Sequence, residues 1–267
     1  MSDSSQTPSQ TFKDLFSQHA ADYQRFRPRY PAELFEYLSA LSPAHELVWD
    51  CATGNGQAAS MLAAHFDAVY ASDASAEQIA HAIVTPAVDY HVATAEHSGL
   101  PAQAVDLITV FQAFHWFDEA AFFAEAKRVA KPGAPLAVVG YHTVQTGLAA
   151  VDAVYQDFCF DYLWEKNCWD MDRRSLNQAY AETRFPFAPI TTPSFAATMQ
   201  WTYDDYVAYL NTWSAVKTYI RLYNDNPVSS YVEARIRDHW PNPNQARSVT
   251  IPLILKVGYL HDSHYNF

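Results

Sequence analysis

Cysteine is scarce: Cys51, Cys159 and Cys168 are the only three in 267 residues. An odd number, with no CxxC pair and no metal-ligand spacing, excludes a disulfide framework and a zinc ligand set. The three are expected to be reduced thiols of a cytoplasmic protein, with packing as their main role. Positive charge is also in short supply, with 17 Lys+Arg against 29 Asp+Glu and a net charge of -12. That balance opposes the basic surface which nucleic acids and anionic membranes select, so neither is an expected partner, although a local patch can survive in an acidic chain. No apolar run approaches the roughly 20 residues that span a bilayer. The opening MSDSSQTPSQ has no basic residue and no apolar core, so no signal or transit peptide is expected there. No internal repeat is visible, and low complexity is confined to the N-terminus. The acids Asp118, Glu119 and Asp152 are too scattered to suggest a metal site, and none is expected.

Apolar and aromatic residues are plentiful, at 49% and 15%. They suffice for one large domain, or for a domain with an appended cap. The most informative stretch is LVWDCATGNGQ, residues 47–57. Leu47, Val48 and Trp49 read as a buried strand running into Asp50. Ala52, Thr53, Gly54, Asn55 and Gly56 then make a small-residue turn that opens a helix expected over 56–66. A strand ending this way leaves backbone groups facing outward at the carboxyl edge of a sheet, where open α/β folds bind ligands. The glycines of ATGNGQ are misplaced for the G-x-G-x-x-G of a nicotinamide-dependent reductase.

A second strand is expected over 68–72, closing in Asp73, which lies 19 residues after Gly54. A carboxylate about 20 residues on meets ribose hydroxyls in nucleotide-binding βαβ units. The competing role for Asp73 is the N-cap of a helix over 75–83, a role Ser75 could equally take. Further strands are expected over 88–93, 105–111 and 135–141, with a helix from Asp118 to about residue 130. Gln112, Phe114, His115 and Trp116 then fall at another strand's carboxyl edge. Upstream, a polar tail (residues 1–10) precedes an N-terminal helical lid (11–45), in which a helix over 11–23 and one over 32–41 flank RPRYP. The aromatics of this lid either pack on the main domain or, through Tyr23, Arg27 and Tyr30, hold a carboxylate that suits a guanidinium beside phenols.

The set VWDCATGNG, ASDAS, ATAEHSGLP, AVDLITVFQAFHWFD and RVAKPGAPLAVVGY, with YQRFRPRYP before it, resembles the class I S-adenosylmethionine-dependent methyltransferases. Within them it is most similar to the small-molecule branch that includes trans-aconitate methyltransferases. The resemblance spans about residues 12–142 and implies an α/β, Rossmann-like, seven-stranded sheet, its last strand antiparallel, with helices on both faces and a helical cap. It implies a cofactor-binding core over 46–142, completed by substrate-side helices and final strands over 143–267. By position, Asp50, Ala52, Gly54 and Gly56 would cradle the methionine part of S-adenosyl-L-methionine, Asp73 would bind its ribose, and Ala74 would flank its adenine. Thr94, Ala95 and Glu96 would frame the adenine edge, Gln112 would line the methyl-donor channel, and Tyr23 and Arg27 would join the cofactor site. Two departures stand out. The loop's first glycine is Ala52, tolerable at a backbone φ below zero, and Thr94 stands where an acid often meets the adenine amino group.

The second half is unusually aromatic. Val154, Phe158, Tyr162 and Leu163 keep a helical spacing, residues 194–201 read as a sixth strand, 203–214 and 229–240 as helices, and 248–258 as the last strand. Methyl transfer from a sulfonium mainly requires alignment and exclusion of water, so catalytic residues can be few. His115, Tyr141 and His142 are candidates for a base or an orienting group, with packing or backbone bonding as the alternative. Tyr30, Trp116, Trp164, Trp169 and Trp213 are candidates to wall a substrate pocket, with core packing as the alternative. Arg173, Arg174 and Arg221 could meet an anionic substrate or be solvated surface. The expected activity is transfer to a small molecule at an oxygen, a carboxylate or phenol. The alternative is a non-catalytic S-adenosylmethionine-binding or regulatory protein. Oligomeric state is not legible.

Overall fold

The computed structural model describes residues 28–169, 185 and 190–260. The tail, the helix expected over 11–23, Tyr23, Arg27, Arg173 and Arg174 lie outside them. Seven strands form one sheet: β1 Leu47–Cys51, β2 Ala68–Asp73, β3 Val88–Val92, β4 Leu107–Phe111, β5 Pro135–Tyr141, β6 Ala196–Trp201 and β7 Arg247–Tyr259. Their spatial order is β3-β2-β1-β4-β5-β7-β6. Pairings from β3 across to β5 are parallel, whereas β7 is antiparallel to both β5 and β6. The order reverses between β1 and β4, which opens a crevice at their carboxyl ends.

Alternation of side chains along these strands feeds two cores. Trp49, Ile108, Val110, Leu136 and Val138 face one way, toward Phe122, Ala126 and Val129 of α4 (Glu119–Val129). Val48, Leu107, Ala137 and Val139 face the other way, toward Leu34, Phe35 and Leu38 of α1 (Ala32–Ala40) and Ala58, Ala59 and Leu62 of α2 (Gln57–Leu62). Both faces being covered, the strands read as nearly continuous apolar runs.

A third cluster belongs to the chain after β5. Helix α5 (Ala149–Asp157) continues through a π turn, Phe158–Tyr162, into a last helical turn, Leu163–Glu165. With α6 (Tyr203–Asn211), α7 (Ser214–Tyr223) and the irregular helical run from Val228 to His239, it encloses Tyr155, Phe158, Tyr206, Trp213 and Val232. Strand β7 carries this cap. Its Leu253–Tyr259 half pairs with β5, while Arg247–Pro252 pairs only with β6 among the named strands and projects past the end of β5. Six residues of antiparallel strand reach about 20 Å.

Several elements depart from the sequence expectation for identifiable reasons. Helix α2 stops at Leu62 and not at residue 66, because the N–H of His65 bonds back to Leu62 and that of Asp67 turns to the His45 carbonyl at 2.8 Å. Helix α3 is only Ala76–Ala80, and the N–H of Ile83 is taken by the Asn55 carbonyl at 2.9 Å. Strand β4 starts at Leu107, since the buried Asp106 carboxylate accepts the N–H groups of Glu46 and Leu47 and pairs with Lys131 at 2.9 Å. Where one helix is expected over 203–214, the chain breaks at Thr212, whose hydroxyl donates to Tyr209 O at 2.6 Å, and α7 follows. The three cysteines are buried. No helix among the described residues is long and apolar enough to cross a membrane.

Candidate active site

The turn after β1 is held from beneath by Asp50. This fully buried carboxylate accepts the hydroxyls of Thr53 at 2.6 Å and Thr109 at 2.8 Å, tying the turn to β1 and β4. Burial raises its pKa to about 6, and the Thr53 and Thr109 hydrogen bonds limit the rise. Trp49, also fully buried, donates its indole N–H to Ser72 at 2.9 Å and braces β1 against β2.

From the side the turn is held by Asp73. One carboxylate oxygen accepts the N–H of Gly54 and the other that of Ser75, both at 2.8 Å. Helix α3 is capped by Ser75, whose hydroxyl accepts from Gln78 N, so the capping role considered for Asp73 is taken by its neighbour. Asp73 is half-buried, and burial raises its pKa while the Ser75 and Gly54 N–H groups oppose the rise. Its oxygens retain lone pairs at the β1–β2 edge.

The glycines of the turn do different work. A Cβ on Gly54 would meet only Gln78 Oε1, at 3.9 Å, so open space lies beyond it. On Gly56 it would fall 2.0 Å from Tyr90 Oη, so that glycine accommodates the Tyr90 ring, whose hydroxyl donates to Ile83 O at 2.8 Å. Ala52 does not have the negative φ expected of it. It sits at φ 55°, a left-handed conformation in which alanine is strained. Gln112, just past β4, repeats that conformation at φ 57°.

A group of rings stands at the β4–β5 edge. Tyr30 stacks on Tyr141 at 5.2 Å between centroids and lies 4.7 Å from Phe111. Tyr141 donates its hydroxyl to the carbonyl of buried Pro28 at 2.8 Å, and Gln57 of α2 donates to the same oxygen at 3.3 Å. The RPRYP segment is therefore pinned between the turn's helix and the end of β5. His142 follows Tyr141 and is exposed, with Nδ1 2.9 Å from Thr143 Oγ1. His115 is half-buried in the 3-10 turn Phe114–Trp116, its ring 4.9 Å from Trp116, which is 55% exposed.

Ala74 is exposed beyond β2, Ala95 is buried in the α4-side core, Thr94 bridges to His97, and Glu96 accepts the N–H of Asp118 at 3.1 Å. Trp213 is buried in the cap cluster, and Trp169 packs 5.7 Å from it while donating to Cys159 O at 2.8 Å. Trp164 lies in the last turn of the extended α5 and is 40% exposed. Thr109 and Tyr90 support the turn without having been candidates, and Ser75 takes the capping role the sequence allowed it. Of these two, Thr109 leaves a signal, a hydroxyl inside the apolar run LITVF. Among the described residues no group of three or more His, Cys, Asp or Glu could hold a metal.

Strand order 3-2-1-4-5-7-6 with an antiparallel seventh strand, and a small-residue turn braced by acids at the ends of β1 and β2, define the Rossmann-like methyltransferase class. A methyltransferase-domain profile matches residues 49–138. The chain is 36% identical to a protein of Anaeromyxobacter dehalogenans whose solved structure is named a type II methyltransferase. That likeness covers 88% of this chain and 98% of the other, with a TM-score of 0.80. A Dictyostelium discoideum protein named as a methyltransferase is 26% identical over 242 residues, 90% of this chain and 92% of its own. A Bacillus halodurans methyltransferase structure shares the fold at a TM-score of 0.51 and 19% identity, covering 86% and 98% of the two chains. The chain belongs to the class I S-adenosylmethionine-dependent methyltransferases. It is an enzyme of that class.

Proposed function

We propose that this enzyme moves the methyl group of S-adenosyl-L-methionine to an oxygen of a small molecule, a carboxylate or a phenol. The observation that carries the cofactor half is the Asp73 carboxylate. It is fixed by Gly54 and Ser75 N–H groups, relieved of helix capping by Ser75, and placed at the strand edge where two vicinal hydroxyls can donate to it. The open space beyond Gly54 lets a ligand approach the backbone of the turn, so the residues present fit the methionine and ribose parts. When bound, the cofactor supplies an electrophilic methyl on a sulfonium, whose departure as a thioether needs no acid. The chain's own residues then align and dry the site: the braced turn fixes the donor, and the rings of Tyr30, Phe111 and Tyr141 exclude water at the β4–β5 edge. A carboxylate acceptor is already ionised near neutral pH and needs no base. A phenol would give its proton to His115 or His142, the two imidazoles beside β4 and β5.

Asp73→Ala is expected to weaken S-adenosylmethionine binding by about 1–3 kcal/mol, through loss of charge-assisted hydrogen bonds. Calorimetry on the folded variant checks this, and unchanged affinity removes the ribose assignment. Incubation with methyl-labelled cofactor and a panel of small acids and phenols tests the acceptor. Label found only on protein, nucleic acid or a carbon atom sinks the oxygen claim.

A further inference from the structure

Gln112 bears two costs that its own fold does not offset. Its backbone is held at φ 57° while its N–H is bonded to the Val139 carbonyl at 2.9 Å. Its side-chain nitrogen, Nε2, is buried and has no hydrogen-bond partner among the described residues. A buried primary amide is a desolvated donor. Backbone strain of this kind persists where the surroundings over-determine it, and it collects at ligand clamps. The position matches both facts. Gln112 follows Phe111 at the β4–β5 edge, where Phe111 meets Tyr30, itself stacked on Tyr141, and Ala52, just past the neighbouring β1, has the same left-handed conformation.

We propose that Gln112 selects the methyl acceptor: its Nε2 donates a hydrogen bond to an acceptor oxygen adjacent to, but distinct from, the oxygen that is methylated. The proposal rests on the methyl-transfer reading of this strand edge and reassigns Gln112 from the donor channel to the acceptor. The attacking oxygen must point a lone pair at the methyl carbon, in line with the breaking C–S bond. A donor on that same oxygen would hold its electrons back, whereas a donor on its neighbour orients the acceptor and leaves the reacting pair free. In the step, the acceptor lone pair forms the O–C bond and the C–S pair returns to sulfur. The sulfonium becomes a neutral thioether, and an anionic acceptor becomes a neutral methyl ester or ether. The acceptor class is therefore one with two neighbouring lone-pair oxygens, such as a carboxylate or an ortho-hydroxy phenol. A simple phenol or alcohol, with one oxygen, leaves the amide unpaired and is discriminated against.

The test uses the full chain labelled with nitrogen-15, with the Gln112 amide pair identified by its loss in Gln112→Leu. S-adenosylhomocysteine alone should leave that pair in place. Benzoate or catechol added to the binary complex should move it, and phenol should not. In turnover with benzoate and catechol, Gln112→Leu should lower kcat/KM by about tenfold, the loss of one hydrogen bond to a buried donor, while cofactor affinity stays within about twofold. A resonance that moves with S-adenosylhomocysteine alone, or with none of the probes, overturns the proposal. So does cofactor affinity that falls in step with turnover, or a kcat/KM that Gln112→Leu leaves unchanged. Failure of S-adenosylhomocysteine to bind the native protein would instead strike the methyl-transfer reading itself.

Discussion

Single residues in the turn carry conformational burdens that side-chain chemistry alone does not reveal. Ala52 holds a left-handed backbone at φ 55°, which costs an L residue roughly 1–2 kcal/mol. Ala52→Gly removes that cost and adds a glycine entropy penalty of about 0.5–1 kcal/mol. The expected outcome is a gain of about 0.5–1 kcal/mol, a rise of roughly 2 °C in Tm by calorimetry; a lower Tm would show that the alanine methyl matters more than the strain. Asp50 is the second case. Its folded pKa, about 6, lies above the ordinary 3.8 because burial disfavours its charge. With the folded value raised, its contribution to stability is fully present below the unfolded pKa and is lost as pH rises from about 4 through about 6. The linked loss is of order 3 kcal/mol. Urea melts across pH 4–7 should show this slope, and Asp50→Asn should flatten it; an unchanged slope would assign the dependence to other groups. Glu125 cannot mimic this behaviour. Hydrogen bonding from Arg128, with help from Ser98, holds its pKa down at about 2 against the cost of burial, so its contribution is lost as pH falls, not as it rises.

At the scale of elements, the strand–turn–helix unit depends on a contact between segments far apart in sequence. Tyr90 of β3 lies against Gly56, at φ 84°, with no room for a methyl group. Gly56→Ala should therefore cost about 2–5 kcal/mol, adding overpacking to left-handed strain. In a Tyr90→Ala background the same change should cost only the strain, about 1–2 kcal/mol. A double-mutant cycle in denaturant measures the difference, and simple additivity would show that the ring does not set the constraint. The strands themselves are legible from their apolar runs, with β5 matching its expected bounds. Helix ends are not. α2 and α3 are cut short by bonds to His45 and Asn55, partners that only the fold supplies.

Across the whole molecule, the cap is a separate aromatic core. Its buried residues are shared with neither cluster under the turn. Phe158 is fully buried there, with rings of Trp213, Tyr162 and Tyr231 each 6.0 Å away. Phe158→Ala should cost about 3–5 kcal/mol of stability. Its effect on S-adenosylmethionine affinity should stay within about twofold, as expected of independent sites. A large fall in affinity in the folded variant would couple cap packing to the turn.

The residues of this chain determine by themselves the strands, the turn after β1, the acid after β2 and the class to which they belong, because each is a local pattern of apolar runs, small residues and spacing. Tertiary structure decides what those residues do for one another. It gives Ser75 and not Asp73 the helix cap, puts Thr109 on the buried Asp50, sets Tyr90 over Gly56, and leaves the Gln112 side-chain nitrogen buried with no partner among the described residues. It also seals Trp213 into the cap. These outcomes depend on strand register and on which face of the sheet each segment covers, and both are fixed only when distant segments pack together.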